Sequence, residues 1–201
     1  MTILVGKDET PFILNRTWLI CNACGVWAIL ASRLEEKNGE EMLVRLPELE
    51  ARYFGVYAKW IYSSKLDTAL LGHQVPTVHQ AQDVPDAEKA KLDNGRLVDD
   101  LMRLCTDDVF FDDVSFQTIV FRELEKWLTH RRWCSLVLLS KKTIDFVDED
   151  LDPENPLRQL CIDWADSELT SETDMKVLTE TAPKWLLSGL LVAKMGREKG
   201  D

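Results

Sequence analysis

The sequence lacks the short motifs that mark common catalytic sites. It contains no phosphate-binding glycine loop, no nucleophile elbow and no His-Glu-x-x-His pair. Two of the three histidines, His73 and His79, have no cysteine near them, so they do not form the ligand set of a zinc site. We therefore predict a protein that is not an enzyme, with no catalytic residue, no bound metal and no cofactor.

Long apolar runs are also missing. No stretch approaches the roughly 20 apolar residues that a helix needs to cross a bilayer. Near the amino terminus, Thr2–Val5 is too short for the apolar region of a secretory signal, and Lys7–Thr10 interrupts it. These absences predict a soluble intracellular protein, in the cytoplasm or the nucleus, that does not bind membranes.

Positive charge is scarce relative to negative charge. The 24 Lys and Arg residues are outnumbered by 35 Asp and Glu residues, which gives a formal net charge of −11 over 201 residues. Nucleic acids and anionic membrane surfaces both require concentrated positive charge. The segment that comes closest to a basic patch is His130-Arg131-Arg132 with Lys126, and such a cluster is typical of the end of a helix. We therefore exclude nucleic acid as a partner.

The five cysteines are an odd number without the spacing of a small disulfide-rich domain. This usage is typical of reduced thiols in the cytosol or the nucleus. Cys21 and Cys24 form a Cys-x-x-Cys pair, but no second pair at zinc-finger spacing accompanies them. Because their neighbourhood is apolar and helical, we predict that both are buried thiols.

The segment Leu46–Leu66 carries a helical pattern of apolar residues on two neighbouring faces. One stripe recurs at i, i+3, i+4 and i+7, and it consists of Phe54, Tyr57, Ala58 and Ile61. A second apolar set lies on a neighbouring face and consists of Tyr53, Val56 and Trp60. A helix that is apolar around most of its circumference is packed on several sides, so this helix is predicted to centre the core. A sharper hypothesis is that part of it faces a partner, and the predicted protein-binding residues are then Tyr53, Phe54, Val56 and Trp60.

The order of elements before this helix predicts an α+β fold. Thr2–Val5 and Phe12–Leu14 flank a turn and are typical of a β-hairpin. Two short helices follow, at Asn15–Asn22, with Trp18 and Leu19 facing inward, and at Gly25–Leu34. Met42–Leu46 is then a third strand that leads into the central helix. Strand–strand–helix–helix–strand–helix is an α+β order.

The remainder of the chain is predicted to be mostly helical. Residues 71–95 contain turn signals and little apolar periodicity, which indicates a flexible insertion loop. Helices are predicted at Arg96–Cys105, from Asp112-Asp113, from Asn155-Pro156 with the asparagine as N-cap, and from Pro183. Ser171 with Asp174 is similar to a capping box. Short extended segments are predicted at Leu136–Leu139 and Thr143–Val147.

Several segments before residue 67 resemble, in order, parts of the BTB/POZ domain. Thr2–Leu14 resembles its opening hairpin, and Asn15-Arg16 stands where the family has His-Lys. Leu43–Pro47 looks like its third strand. Tyr53–Leu66, which reads YFGVYAKWIYSSKL, looks like the helix that ends in Tyr-Thr-Gly-Lys-Ile in that family.

Later segments extend the resemblance over most of the chain. Leu97–Asp99 and Asp113–Val120 resemble the paired helices that complete the domain. Asn155–Trp164 is similar to a Ser-Pro-Leu-Arg-x-Leu-x-Val-Asp segment that follows the domain in fungal-type BTB proteins. The resemblance implies a short three-stranded sheet with a cluster of helices in residues 1–130. A helical C-terminal extension would then occupy residues 131–201.

The resemblance implies a non-enzymatic protein–protein interaction module, a scaffold or adaptor whose partners are other proteins. The alternative is a substrate adaptor of a cullin-based ubiquitin ligase. Such adaptors place a hydrophobic–x–Glu segment early in the central helix, where this chain has Phe54-Gly55-Val56. Three positions depart from the family pattern. Asn15 replaces the His of His-Lys, Ala23 replaces a recurrent Ser, and Val26 replaces the Phe after that Ser. Since the chain also begins at the hairpin, we expect a weak homodimer, or a monomer that pairs with other proteins.

Overall fold

A computed structural model describes residues 1–22, 24–37, 41–72, 87–106, 113–129, 141–149, 151–168 and 182–198. In this part of the chain the fold is α+β, as predicted, with four β-strands and eight α-helices. None of the described helices is both long enough and apolar enough to span a membrane.

The four strands form one mixed sheet. They are β1 (Thr2–Val5), β2 (Thr10–Ile13), β3 (Leu34–Lys37) and β4 (Glu41–Leu46), and their order across the sheet is β2-β1-β4-β3. β1 and β4 run parallel, with Ile3 opposite Val44, whereas the two outer pairs are antiparallel. Three of the strands match the predicted ones. The fourth, β3, is an edge strand that takes up the last residue of the predicted helix Gly25–Leu34.

The chain divides into two compact units. The first spans Met1–Val75 and Arg103–Phe121, and the second spans Pro76–Met102 and Arg122–Asp201. The division falls within α4 (Ala87–Thr106) and α5 (Val114–Thr129), so each of these helices contributes to both units. The predicted limits of a domain at 1–130 and an extension at 131–201 stay a prediction.

The first unit is built around α3 (Ala51–Ser63), the predicted central helix. Along the chain, α1 (Arg16–Asn22) and α2 (Cys24–Ser32) come before α3, and a short 3-10 helix, Thr68–Leu71, comes after it. α3 ends at Ser64, which adopts the left-handed conformation and donates its backbone N–H to the carbonyl of Trp60. Seven of its thirteen residues are buried, so the helix is covered on more than one face. They are Tyr53, Phe54, Val56, Tyr57, Ala58, Trp60 and Ile61.

The second unit contains α6 (Lys141–Glu149), α7 (Pro156–Glu168) and α8 (Lys184–Glu198). The start of α7 is confirmed, since Asn155 Oδ1 accepts the backbone N–H of Leu157 at 3.0 Å. The helix after Pro183 is also confirmed, with Leu186 and Leu190 buried.

Two predicted segments differ in the structure. Thr143–Val147 was predicted to be extended, but it lies inside α6, and its buried residues Thr143 and Val147 are one helical turn apart. Residues 87–95, placed in the predicted loop, form the first half of α4. Asn94 is buried there, so tertiary packing overrides a local turn signal. The rest of that loop from residue 73, the segment Leu136–Leu139 and the capping box at Ser171 lie outside the described residues.

Candidate functional site

The four residues predicted to bind a partner all lie in the core. Their exposed fractions are 3% for Tyr53, 0% for Phe54, 0% for Val56 and 8% for Trp60. A partner could touch these side chains only by displacing the residues that cover them. In this fold the second apolar face of α3 is buried as the first one is, so Tyr53, Phe54, Val56 and Trp60 do not form an exposed surface for a partner.

Aromatic rings account for much of this burial. Phe116 of α5 meets Tyr57 edge-on, with ring centroids 4.9 Å apart, and lies 5.2 Å from the ring of Trp60. On the same stripe of α3, Phe54 lies next to Tyr57 and is met edge-on by Phe12 of β2 at 4.9 Å. Edge-to-face pairs at these separations are stabilising beyond the area that they bury. Within the first unit, α3 therefore packs against both β2 and α5 through aromatic rings.

A pair of exposed aromatic residues was not predicted. Trp18 was expected to face inward with Leu19, but only Leu19 is buried, and Trp18 remains 41% exposed. The Trp18 ring stacks on Tyr62 of α3, which is 50% exposed, with centroids 6.0 Å apart and planes 11° from parallel. We call these two residues the Trp18–Tyr62 surface.

Hydrogen bonds hold the Trp18–Tyr62 surface in place. The indole N–H of Trp18 donates to the carbonyl of Ile61 at 2.9 Å. The hydroxyl of Tyr62 accepts the backbone N–H of Asn15 at 2.8 Å, and Asn15 Oδ1 accepts the backbone N–H of Trp18 at 3.0 Å. Both exposed rings are therefore fixed before any partner arrives, which lowers the entropy lost on binding.

The neighbouring sheet edge is poorly suited to adding a partner's strand. β2 is an edge strand, and Leu14 and Met1 exchange backbone hydrogen bonds across the β1–β2 pair. By the alternation of an antiparallel ladder, the backbone groups of Pro11 and Ile13 then point to the open edge. Pro11 has no N–H, and the N–H of Asn15 is bound by Tyr62. Among Pro11, Ile13 and Asn15, only Ile13 has a backbone N–H that is free to pair with an added strand. A protein that binds at this edge would therefore contact side chains rather than the backbone.

Two ion pairs lie at the surface of the first unit. Lys59 of α3 pairs with Asp67, and the hydrogen bond from Lys59 is the main reason that the pKa of Asp67 lies below its usual value. Arg33 pairs with Glu48; burial acts to raise the pKa of Glu48, but the hydrogen bond from Arg33, a backbone hydrogen bond and the charge of Arg33 together lower it. Pairs this exposed contribute little to stability.

The described residues contain no group of three or more His, Cys, Asp or Glu side chains close enough together to hold a metal ion. The prediction that Cys21 is buried is wrong: this thiol is exposed on α1, because α1 turns Leu19 rather than Cys21 toward the core. The side chain of Cys24 lies outside what the structure describes. Burial raises the pKa of the Cys105 thiol and of the Cys161 thiol to about 12. Thiols with such pKa values are protonated and unreactive near neutral pH.

Comparison with known proteins identifies no relative. No family model matches the chain, no curated protein is significantly similar to it, and no solved structure matches its fold.

Proposed function

We propose that this protein is a non-enzymatic protein–protein interaction module with a BTB/POZ-like fold. The observation that carries the proposal is the path of the chain through the first unit. The β1–β2 hairpin is followed by α1 and α2, and β4 then returns parallel to β1 before the chain enters α3. A parallel return needs a crossover connection, and the two helices lie within it. The same segments, in the same order, carry the sequence resemblance to the BTB/POZ domain.

The proposal assigns the predicted binding residues a structural role. Tyr53, Phe54, Val56 and Trp60 are core residues that fix the position of α3. The contact with a partner is instead assigned to the Trp18–Tyr62 surface, at the junction of α1 with the end of α3. Trp and Tyr are enriched among the residues that dominate binding energy at interfaces, where they are rigid and amphipathic. Here they are both exposed and held by hydrogen bonds.

The alternative of a cullin adaptor stays a prediction from the sequence. It depends on an acidic residue early in the central helix, and this chain has Val56 at that position. Val56 is apolar and fully buried, so it offers a cullin neither charge nor surface. No described residue favours this alternative over a general interaction module.

The test is capture of partners by the intact chain, followed by direct measurement of binding with the purified partner. Proximity labelling in cells first identifies candidate proteins. Binding of each purified candidate is then measured by calorimetry for the wild type and for Trp18→Ala combined with Tyr62→Ala. The control is Leu191→Ala combined with Val192→Ala, since those two residues are also exposed and apolar but lie on α8 in the second unit.

We expect the Trp18/Tyr62 variant to weaken binding at least tenfold, because Trp and Tyr are enriched among hot-spot residues, whose truncation costs about 2 kcal/mol or more, and about 1.4 kcal/mol corresponds to a factor of ten. The α8 control should bind as the wild type does. Thermal melts of both variants show whether each is folded. Equal binding by all three folded proteins would contradict the assigned surface, and failure of every candidate to bind the wild type would contradict the interaction module itself. Sedimentation at micromolar concentration tests the weak homodimer separately.

A further inference from the structure

We draw no further inference here: the strongest candidate, the exposed apolar stripe of Leu191, Val192 and Met195 on α8, carries nothing because nothing in the structure shows what covers it.

Discussion

Tyr57 and Asp113 share a buried hydrogen bond in the first unit, in which the phenol of Tyr57 donates to Asp113 Oδ2 at 2.9 Å. The other carboxylate oxygen of Asp113 accepts the backbone N–H of Phe116 at 3.0 Å. A single carboxylate therefore caps the start of α5 and joins it to α3. Since Phe116 also packs on the rings of Tyr57 and Trp60, the polar contact and the aromatic contact fix the same helix pair.

Tyr57→Phe removes the donor to Asp113 while leaving the ring in place. A buried carboxylate oxygen that loses its partner costs about 1–3 kcal/mol. We expect the free energy of unfolding, measured by urea denaturation, to fall by that amount. The matched control is Tyr62→Phe, in which the lost hydroxyl is exposed and its partner, the Asn15 N–H, can bind water. Equal losses in the two variants would contradict the importance of the buried bond.

Trp60→Ala is expected to lower the free energy of unfolding by about 3–5 kcal/mol, because it leaves a cavity beside the rings of Tyr57 and Phe116. Trp60→Phe should cost less, since it keeps an aromatic ring and since Trp60 Nε1 is buried without a hydrogen-bond partner among the described residues. Trp18→Ala, at a half-exposed tryptophan, should also cost less than Trp60→Ala. Thermal and urea unfolding of the three variants tests this order, and a stable Trp60→Ala protein would show that Trp60 is not a core residue.

Gly189→Ala tests the close approach of α7 and α8 in the second unit. A Cβ at Gly189 would lie 2.3 Å from Cδ1 and 2.8 Å from Cγ1 of Ile162. Alanine gains about 1 kcal/mol of helix propensity over glycine, but overpacking costs about 1–3 kcal/mol. We expect net destabilisation of Gly189→Ala in urea unfolding.

Two further variants separate the steric effect from the propensity effect. Ser188→Ala, at the exposed neighbouring position, should be neutral or slightly stabilising. Adding Ile162→Ala to Gly189→Ala removes Cδ1 and Cγ1 of Ile162, together with Cγ2 at 3.4 Å, so the glycine substitution should cost less in that background. If Gly189→Ala stabilises the wild-type chain, the helices do not approach as closely as described.

The three described cysteines should differ in reactivity. Cys21 is exposed, whereas burial raises the pKa values of Cys105 and Cys161 to about 12. Alkylation of the native protein at pH 8, followed by peptide mass spectrometry, should modify Cys21 within minutes. Cys105 and Cys161 should be modified only after denaturant is added. Rapid alkylation of Cys161 in the native protein would contradict the packing of α7. The control is Cys21→Ser, which should abolish the rapid alkylation if Cys21 is the site that reacts.

Local patterns in the sequence were sufficient to place most of the helices. The spacing of Phe54, Tyr57, Ala58 and Ile61 places α3, and all four residues are buried. Asn155-Pro156 marks the start of α7. The side chain of Asn155 supplies a hydrogen-bond acceptor for the first turn, and the ring of Pro156 fixes a helical φ. Such signals act over a few residues, so they can be recognised without knowing what the helix packs against.

Short segments without a repeating pattern could not be assigned in this way. Thr143–Val147 fits either a strand or a helix by composition, and it is helical in α6. β3 became a strand because β4 supplies the hydrogen-bonding partner, and four charged or apolar residues alone do not indicate that pairing. Residues 87–95 are likewise helical, with Asn94 buried, although the local Asp-Asn-Gly sequence is typical of a turn.

The sequence by itself determined the α+β order, the central position of α3 and the places where several helices begin, because these depend on periodicity and capping close in the chain. Tertiary structure alone decided which apolar side chains are covered. Trp60 and Trp18 are both tryptophans on helices, yet Trp60 is buried against Phe116, which lies far along the chain, whereas Trp18 stacks on Tyr62 at the surface. Whether a side chain is exposed depends on which residues folding brings into contact with it. The surface that could meet a partner can therefore be identified only in the folded chain.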